Sequence, residues 1–212
     1  MTEKGILFDM DGTLWDASEQ VTAAWNIALA KNADLGGRQI TAAQMQNLMG
    51  KTMTDIFHIL LPNADEKRRT AIAEDCCEEE NSYLRSRGAV LYPGVAETLR
   101  ELSRSYRLFI VSNCQDGYIE AFLAYYGFGS LFTDTECFGR TGKTKKDNIR
   151  LLLERNHLKQ AVYVGDTQLD FESAQFAGLP FIHASYGYGE VKEAAHSING
   201  FSELTEIVPK IL

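Results

Sequence analysis

Cysteine is scarce in this sequence and is not spaced for metal binding. Among 212 residues there are four cysteines, and none belongs to a C-x-x-C pair. Zinc sites and dithiol redox motifs use such spacing, so both are excluded and reduced, partly buried thiols are expected. Reduced thiols are typical of cytosolic proteins. The four residues are Cys76, Cys77, Cys114 and Cys137.

Long apolar runs are also missing. A helix that spans a bilayer needs about 20 mostly apolar residues, and no uncharged stretch approaches that length. The opening residues, MTEKGILFDMDG, lack the apolar segment of a signal peptide. We therefore expect a cytoplasmic protein that does not bind membranes.

Positive charge is in the minority. There are 21 Lys and Arg residues against 29 Asp and Glu residues, which gives a net charge of −8. Such a chain repels phosphate backbones and anionic lipids, which argues against nucleic acid or membrane as the main partner. A small anionic substrate would need a local positive centre, and a bound cation could supply one.

Short apolar runs alternate with helical patterns over most of the chain. The runs are nearly continuous in apolar character, as strands covered on both faces of a sheet are. Strands that alternate with helices predict βαβ units and a parallel sheet, an α/β fold. The predicted strands are 5–8, 108–111, 162–164, 180–183 and, with a weaker pattern, 133–138; the predicted helices are 93–105, 118–126, 146–156 and 171–177.

Residues 16–88 differ from the rest because they contain no convincing strand. Their pattern is helical over 17–33, 41–48, 52–61 and 65–87. This block interrupts the α/β pattern directly after its first strand. We interpret it as an all-helical domain inserted into a core domain made of residues 1–15 and 89–212.

Polar side chains follow three of the predicted strands. Ligands of open parallel sheets bind at the carboxyl ends of strands, so these side chains are expected to meet. Each pair alone has an ordinary interpretation as a turn or a helix cap. Carboxylates crowded together repel one another, and a hard cation with oxygen ligands removes that cost, which indicates Mg²⁺. The pairs are Asp9 with Asp11, Ser112 with Asn113, and Asp166 with Asp170.

Two other ligand-binding motifs are excluded by position. In an EF-hand loop starting at Asp9, the sixth residue would be Gly and the twelfth Glu, but Gly12 is fourth and Gln20 is twelfth. The string Gly142-Lys143-Thr144 mimics the end of a P-loop. The Gly that this motif requires five residues earlier is replaced by Cys137.

A positive side chain is expected from residues 141–146, TGKTKK, which precede a predicted helix. The candidates are Lys143, Lys145 and Lys146. A solvated basic loop is the alternative interpretation of this stretch.

In order and in strand context, these motifs resemble the four motifs of the haloacid dehalogenase superfamily. The resemblance implies a Rossmann-like core, and the helical block resembles the α-helical cap inserted after the first motif. Residues 91–95, LYPGV, resemble the return from cap to core in the phosphoglycolate phosphatase-like branch. The matching strings are Asp9-x-Asp11-Gly12-Thr13, Ser112 after a strand, a Lys before a helix, and Gly165-Asp166-Thr167-x-x-Asp170.

The resemblance also implies catalytic roles. Asp9 would be the nucleophile that forms an aspartyl-phosphate. Asp11 would protonate the leaving oxygen and then activate water. Lys145, selected by the spacing Lys-x-x-Asn-Ile, would neutralise the nucleophile and the phosphate.

Binding roles are implied in the same way. Mg²⁺ would be held by Asp9, the main-chain carbonyl of Asp11 and Asp166, while Asp170 would support the metal's waters or the lysine. Ser112 and the amide of Asn113 would hold the phosphoryl group.

The expected function is therefore a Mg²⁺-dependent phosphatase acting on a small phosphorylated metabolite. A sugar-phosphate mutase is the first alternative, although Met53 lies where mutases of this branch carry Arg. A non-catalytic binding module is the second, although such modules are expected to lose Asp9 or Asp11. Residues that could face the substrate are Trp15, Trp25, Lys51, Met53 and His58, with the segment 186–189 at the rim.

Overall fold

The computed structural model describes residues 3–212 and contains a parallel sheet between helices. The strands are β1 (Lys4–Phe8), β2 (Trp15–Asp16), β3 (Val90–Leu91), β4 (Arg107–Ser112), β5 (Phe132–Cys137), β6 (Gln160–Gly165), β7 (Phe181–Ala184) and β8 (His196–Ile198). The helices are α1 (Ser18–Ala30), α2 (Ala42–Gln46), α3 (Met53–Leu60), α4 (Glu66–Arg87), α5 (Val95–Leu102), α6 (Tyr118–Tyr126), α7 (Phe138–Thr141), α8 (Lys145–Arg155), α9 (Gln168–Phe176) and α10 (Leu204–Ile211). Single 3-10 turns lie at Ala33–Leu35 and Phe201–Glu203.

The main sheet has the order β5-β4-β1-β6-β7-β8, and each neighbouring pair is parallel. Strand β1 lies at the centre, where Leu7 is level with Phe109 of β4 and with Tyr163 of β6. The predicted α/β class with a Rossmann-like parallel sheet is confirmed. All five predicted strands are present within one or two residues of their expected ends.

Both faces of the sheet are buried, which explains the continuous apolar runs. Leu7 and its neighbours pack against Ile149 and Leu152 of α8 on one face. Ile6 and Phe8 face the opposite layer, which includes Leu99 of α5. Burying a side chain of this kind contributes about 1.5–3 kcal/mol. Because helices cover both faces, the carboxyl ends of the strands are the part of the sheet that is open to a ligand.

The helical block lies between β2 and β3. These strands pair antiparallel, with Trp15 opposite Leu91, so the chain leaves and re-enters the core through one short ribbon. All four helices expected between residues 16 and 88 are present as α1–α4. Three of them, α2–α4, start with side-chain caps, in which Thr41, Thr52 and Asp65 accept backbone N–H bonds. The division into domains 1–15 with 89–212 and 16–88 stays a prediction, which the ribbon supports.

Three features of the fold differ from the sequence analysis. The ribbon and β8 were not expected, because two- and three-residue strands are too short to show a pattern. Helix α10 was not expected either, because Pro209 lies inside it and proline disfavours helix interiors. Helix α7 was not expected, because four residues are too few to show a helical pattern.

Within residues 3–212, no helix combines the length and the apolar character that crossing a bilayer would require. All four cysteines are free thiols.

Candidate active site

Three buried carboxyl groups meet at the carboxyl ends of the central strands. Asp9 follows β1, Asp166 follows β6, and Asp170 lies in the first turn of α9. One carboxylate oxygen from each lies within 4.8 Å of the others. Their residues are exposed by 2%, 0% and 0%, respectively. Two of the three strand ends that were expected to meet, those of β1 and β6, therefore bring their carboxyl groups together.

Lys145 supplies a positive charge inside this cluster. Its Nζ lies 2.8 Å from Asp9 Oδ1 and 2.7 Å from Asp170 Oδ1, and the residue is 3% exposed. Burial opposes the ammonium charge, but the carboxylates of Asp170 and Asp9 outweigh burial and raise the pKa of Lys145 above its ordinary value. The other candidates, Lys143 and Lys146, are exposed. Of the three lysines, the structure therefore brings Lys145 to the site.

Asp170 positions Lys145 and is itself held by Thr167. Its Oδ2 accepts from the Thr167 main-chain N–H at 3.0 Å and from the hydroxyl at 2.6 Å. The hydroxyl of Thr167 accepts in turn from the Asp170 N–H, which completes a capping box at the start of α9. This contact to Lys145 matches the supporting place expected for Asp170.

Asp166 lies against backbone that only glycine permits. Its Oδ2 accepts from the Tyr188 main-chain N–H at 2.8 Å, and Thr13 Oγ1 donates to Oδ1 at 3.4 Å. A Cβ on Gly12 would lie 2.1 Å from Asp166 Oδ2, and one on Gly187 would lie 2.4 Å from its Cβ. Residues 186–189, which were expected at the rim, thus pack directly on the acidic cluster.

Asp11 faces away from the other carboxylates. Its Oδ1 accepts from the Tyr118 hydroxyl at 2.7 Å. Burial raises the pKa of Asp11 to about 6, against the lowering effect of this hydrogen bond. Its side chain lies outside the three-carboxylate group. No local pattern in the sequence pointed to Tyr118, because the contact joins residues 107 positions apart.

Ser112 and Asn113 line the cavity over Asp9 and are each 4% exposed. Asn113 Nδ2 donates to the Gly50 carbonyl at 2.9 Å, which ties the helical block to the sheet. Ser112 Oγ accepts from the Cys114 N–H at 3.3 Å. No side chain caps α6, so the helix-cap interpretation of this pair does not hold.

A cavity of about 40 Å³ lies between the acidic site and the helical block. Of the residues expected to face the substrate, Trp25, Lys51 and Met53 line it. Trp15 is buried elsewhere, with its ring 5.0 Å from that of Phe122. His58 is exposed, and its Nε2 lies 3.3 Å from Glu66 Oε2. The block also contributes side chains that were not expected, namely Val21, Met45, Met49, Ile56 and Glu80.

The donor set fits Mg²⁺. Three carboxyl groups share one ammonium group, so negative charge remains uncompensated in a buried place. Burial and the charge of Asp170 raise the pKa of Asp9 well above its ordinary value, and they raise that of Asp166 to about 7. A divalent cation with oxygen ligands would relieve this repulsion.

The fold and the site agree with the protein family whose model matches this chain. The model of the haloacid dehalogenase-like hydrolase family matches residues 6–184, and the chain belongs to this family. The resemblance drawn from the four motifs is thereby confirmed, as is the prediction of an enzyme of the hydrolase class.

Relatives place the chain on the phosphoglycolate phosphatase-like branch. The plasmid phosphoglycolate phosphatase of Cupriavidus necator is 27% identical over 215 residues, covering 98% of this chain and 92% of the relative. A structure described as a predicted phosphoglycolate phosphatase from Haemophilus somnus has a TM-score of 0.84 at 23% identity, covering 98% of this chain and 99% of that one. CbbY from Rhodobacter sphaeroides, solved with phosphate, has a TM-score of 0.80 at 24% identity and covers 96% of each chain. These two structures show the likeness in fold.

Proposed function

We propose that this chain is a Mg²⁺-dependent phosphatase that hydrolyses a small phosphomonoester through an aspartyl-phosphate on Asp9. The observation that carries the proposal is the place of Asp9. Its buried carboxylate lines the cavity, is paired with Lys145 and shares a cluster suited to a cation. The Cupriavidus necator relative is named a phosphatase, which supports the same class of reaction.

The chemistry can be written with this chain's own groups. A carboxylate oxygen of Asp9 attacks phosphorus, the bond from phosphorus to the ester oxygen breaks, and Asp11 gives its proton to the leaving alcohol. Asp11, now a carboxylate, takes a proton from water as the water attacks phosphorus. The bond between phosphorus and Asp9 then breaks and phosphate leaves. Tyr118 holds Asp11 in place through its hydroxyl.

The transferring phosphoryl group carries negative charge that the site must hold. Ser112 and the Asn113 amide lie beside Asp9 in the cavity wall and would donate hydrogen bonds to the oxygens of the phosphoryl group. Lys145, paired with Asp9, would balance the charge on nucleophile and phosphate. Mg²⁺ would be held by Asp9, the Asp11 carbonyl and Asp166, and would supply further charge stabilisation of the phosphoryl oxygens.

The size and charge of the molecule limit the partner. The cavity over Asp9 is small, about 40 Å³, and a net charge of −8 disfavours nucleic acid and anionic membranes. The proposed partner is therefore a small phosphorylated metabolite in the cytoplasm.

Two measurements test the proposal. The first is phosphate release from p-nitrophenyl phosphate and a panel of phosphorylated metabolites, with Mg²⁺ and with a chelator. Release that requires Mg²⁺ supports a phosphatase, whereas isomerised sugar phosphate without release would indicate a mutase. The second is thermal unfolding: Mg²⁺ should raise the melting temperature of the wild type and not that of Asp166→Asn. Equal shifts in both proteins would refute the proposed ligand set.

A further inference from the structure

Glu80 is a buried acid on the cavity side of the helical block. It lies within α4, is 4% exposed and lines the same cavity as Asp9 and Asp11. The indole N–H of Trp25 donates to its Oε2. Trp25 is in turn stacked on Phe57, with ring centroids 5.0 Å apart. The carboxyl group is therefore held in a fixed place against the substrate cavity.

Glu80 is not paired with a cation. Its contacts are the N–H of Trp25 and the amide of Gln115, and the nearby charge of Asp11 has the same sign. Burial, against these hydrogen bonds, raises the pKa of Glu80 to about 8. The neighbouring acids on α4 differ, because Glu79 pairs with Lys31 and Glu78 is exposed. Glu80 is thus the acid of this run that turns inward.

The rest of the cavity wall formed by the helical block has few groups that could bind a second anionic group of a substrate. Most of its side chains are apolar, from Val21 and Met45 to Met53 and Ile56. Among the cavity-lining residues of the described chain, Lys51 is the one basic side chain, and it is exposed. Water screens an exposed charge and weakens its pull on an anion.

We infer that Glu80 makes the cavity select phosphate esters whose alcohol is uncharged, especially a hydroxyl-bearing alcohol, over esters that carry a second anionic group. A substrate hydroxyl can exchange hydrogen bonds with the carboxyl group, whereas a substrate carboxylate would lie beside it without a buried cation. The inference rests on the proposed phosphatase function and names its substrate class. It separates this chain from the phosphoglycolate activity in the names of its relatives, because glycolate carries a carboxylate.

The test compares two esters of nearly equal size, 2-hydroxyethyl phosphate and phosphoglycolate, with Mg²⁺ at about pH 9, where Glu80 is ionised because its pKa is about 8. The wild type should favour the hydroxyl ester in kcat/KM by about tenfold or more, equivalent to about 1.4 kcal/mol. Glu80→Gln should lower this preference about fivefold. Trp25 would select the amide oxygen, which leaves an N–H₂ donor for a substrate carboxylate. Glu78→Gln removes the same charge from the exposed face of α4 and should leave the preference unchanged.

Each result has one meaning. Equal or faster turnover of phosphoglycolate by the wild type overturns the inference while the phosphatase function stands. An unchanged preference in folded Glu80→Gln also overturns it. If Glu80→Gln does not fold, the inference is tested by the ratio of kcat/KM values that the wild type shows for the two esters. Turnover of neither ester, nor of p-nitrophenyl phosphate, refutes the proposed function itself, and the inference falls with it.

Discussion

The strand ends and the helical block face one cavity but are built from opposite materials. At the strand ends, charged groups are paired within a few ångströms, and glycine backbone packs against Asp166. The helical wall is mostly apolar and contains one buried acid, Glu80. The contrast supports a division of the proposed function, in which the strand ends would carry the chemistry and the helices would choose the substrate.

The largest effect is expected from the nucleophile. Asp9→Asn keeps the shape of the side chain but removes the attacking carboxylate. We expect kcat to fall by at least about 10⁴-fold, with an unchanged circular dichroism spectrum. The matched control is Asp116→Asn, which changes the same charge on the exposed surface and should keep full activity. Comparable turnover by the two variants would remove Asp9 from the mechanism.

The buried lysine comes next. Lys145→Met leaves the carboxylates of Asp9 and Asp170 without the ammonium group that lies between them. We therefore expect the free energy of unfolding, measured in urea, to fall by about 3 kcal/mol. Activity should fall about 100-fold, because the phosphoryl charge is no longer balanced.

Lys146→Met is the control for that experiment. Lys146 is exposed, with Nζ 4.6 Å from the centre of the Phe176 ring, so its loss should change neither quantity measurably. Equal losses of stability and activity in both variants would show that any nearby positive charge is sufficient, and that the contacts of Lys145 with Asp9 and Asp170 are not needed.

The buried acid of the helical wall should make stability depend on pH. The pKa of Glu80 is about 8 in the folded chain, against an ordinary value of 4.5. The folded state therefore binds more protons than the unfolded state between these values, and stability falls as pH rises through this window. Relative to Glu80→Gln, the wild type should lose on the order of 3 kcal/mol from about pH 5 to about pH 8. Parallel pH profiles for the two proteins would contradict the burial of an unpaired carboxyl group.

The smallest effect is expected at the junction between the two regions. Tyr118→Phe removes the hydroxyl that holds Asp11 and should lower kcat about tenfold, the value of one hydrogen bond to a charged group. Tyr125→Phe, on the exposed side of the same helix, should leave kcat unchanged. A tenfold loss in both variants would indicate a general disturbance of α6.

Much of the strand-end region could be predicted because its signals are local. A central parallel strand is buried on both faces and reads as an apolar run, and polar residues directly after such runs mark the open edge. Asp9, Ser112 and Asp166 follow this pattern. Among the three lysines, the spacing implied by the family resemblance favoured Lys145 without excluding its neighbours, because burial depends on how α8 packs.

The helical wall was harder to predict because its contacts are long-range. Glu80 lies in the acidic run 78–80, which resembles a solvated face. The usable signal was its spacing: Ile72, Cys76, Glu80 and Leu84 recur every four residues on the buried side of α4. The partner of Glu80, Trp25, lies 55 residues away in sequence, and only packing reveals that contact.

The central claim is that phosphate passes through a covalent bond to Asp9. The most direct measurement is to quench the enzyme during turnover, reduce it with borohydride and map the product by peptide mass spectrometry. Borohydride converts an acyl phosphate on aspartate to homoserine, so homoserine should appear at position 9 and be absent without substrate. Continued phosphate release with homoserine at another position, or at none, would contradict the account.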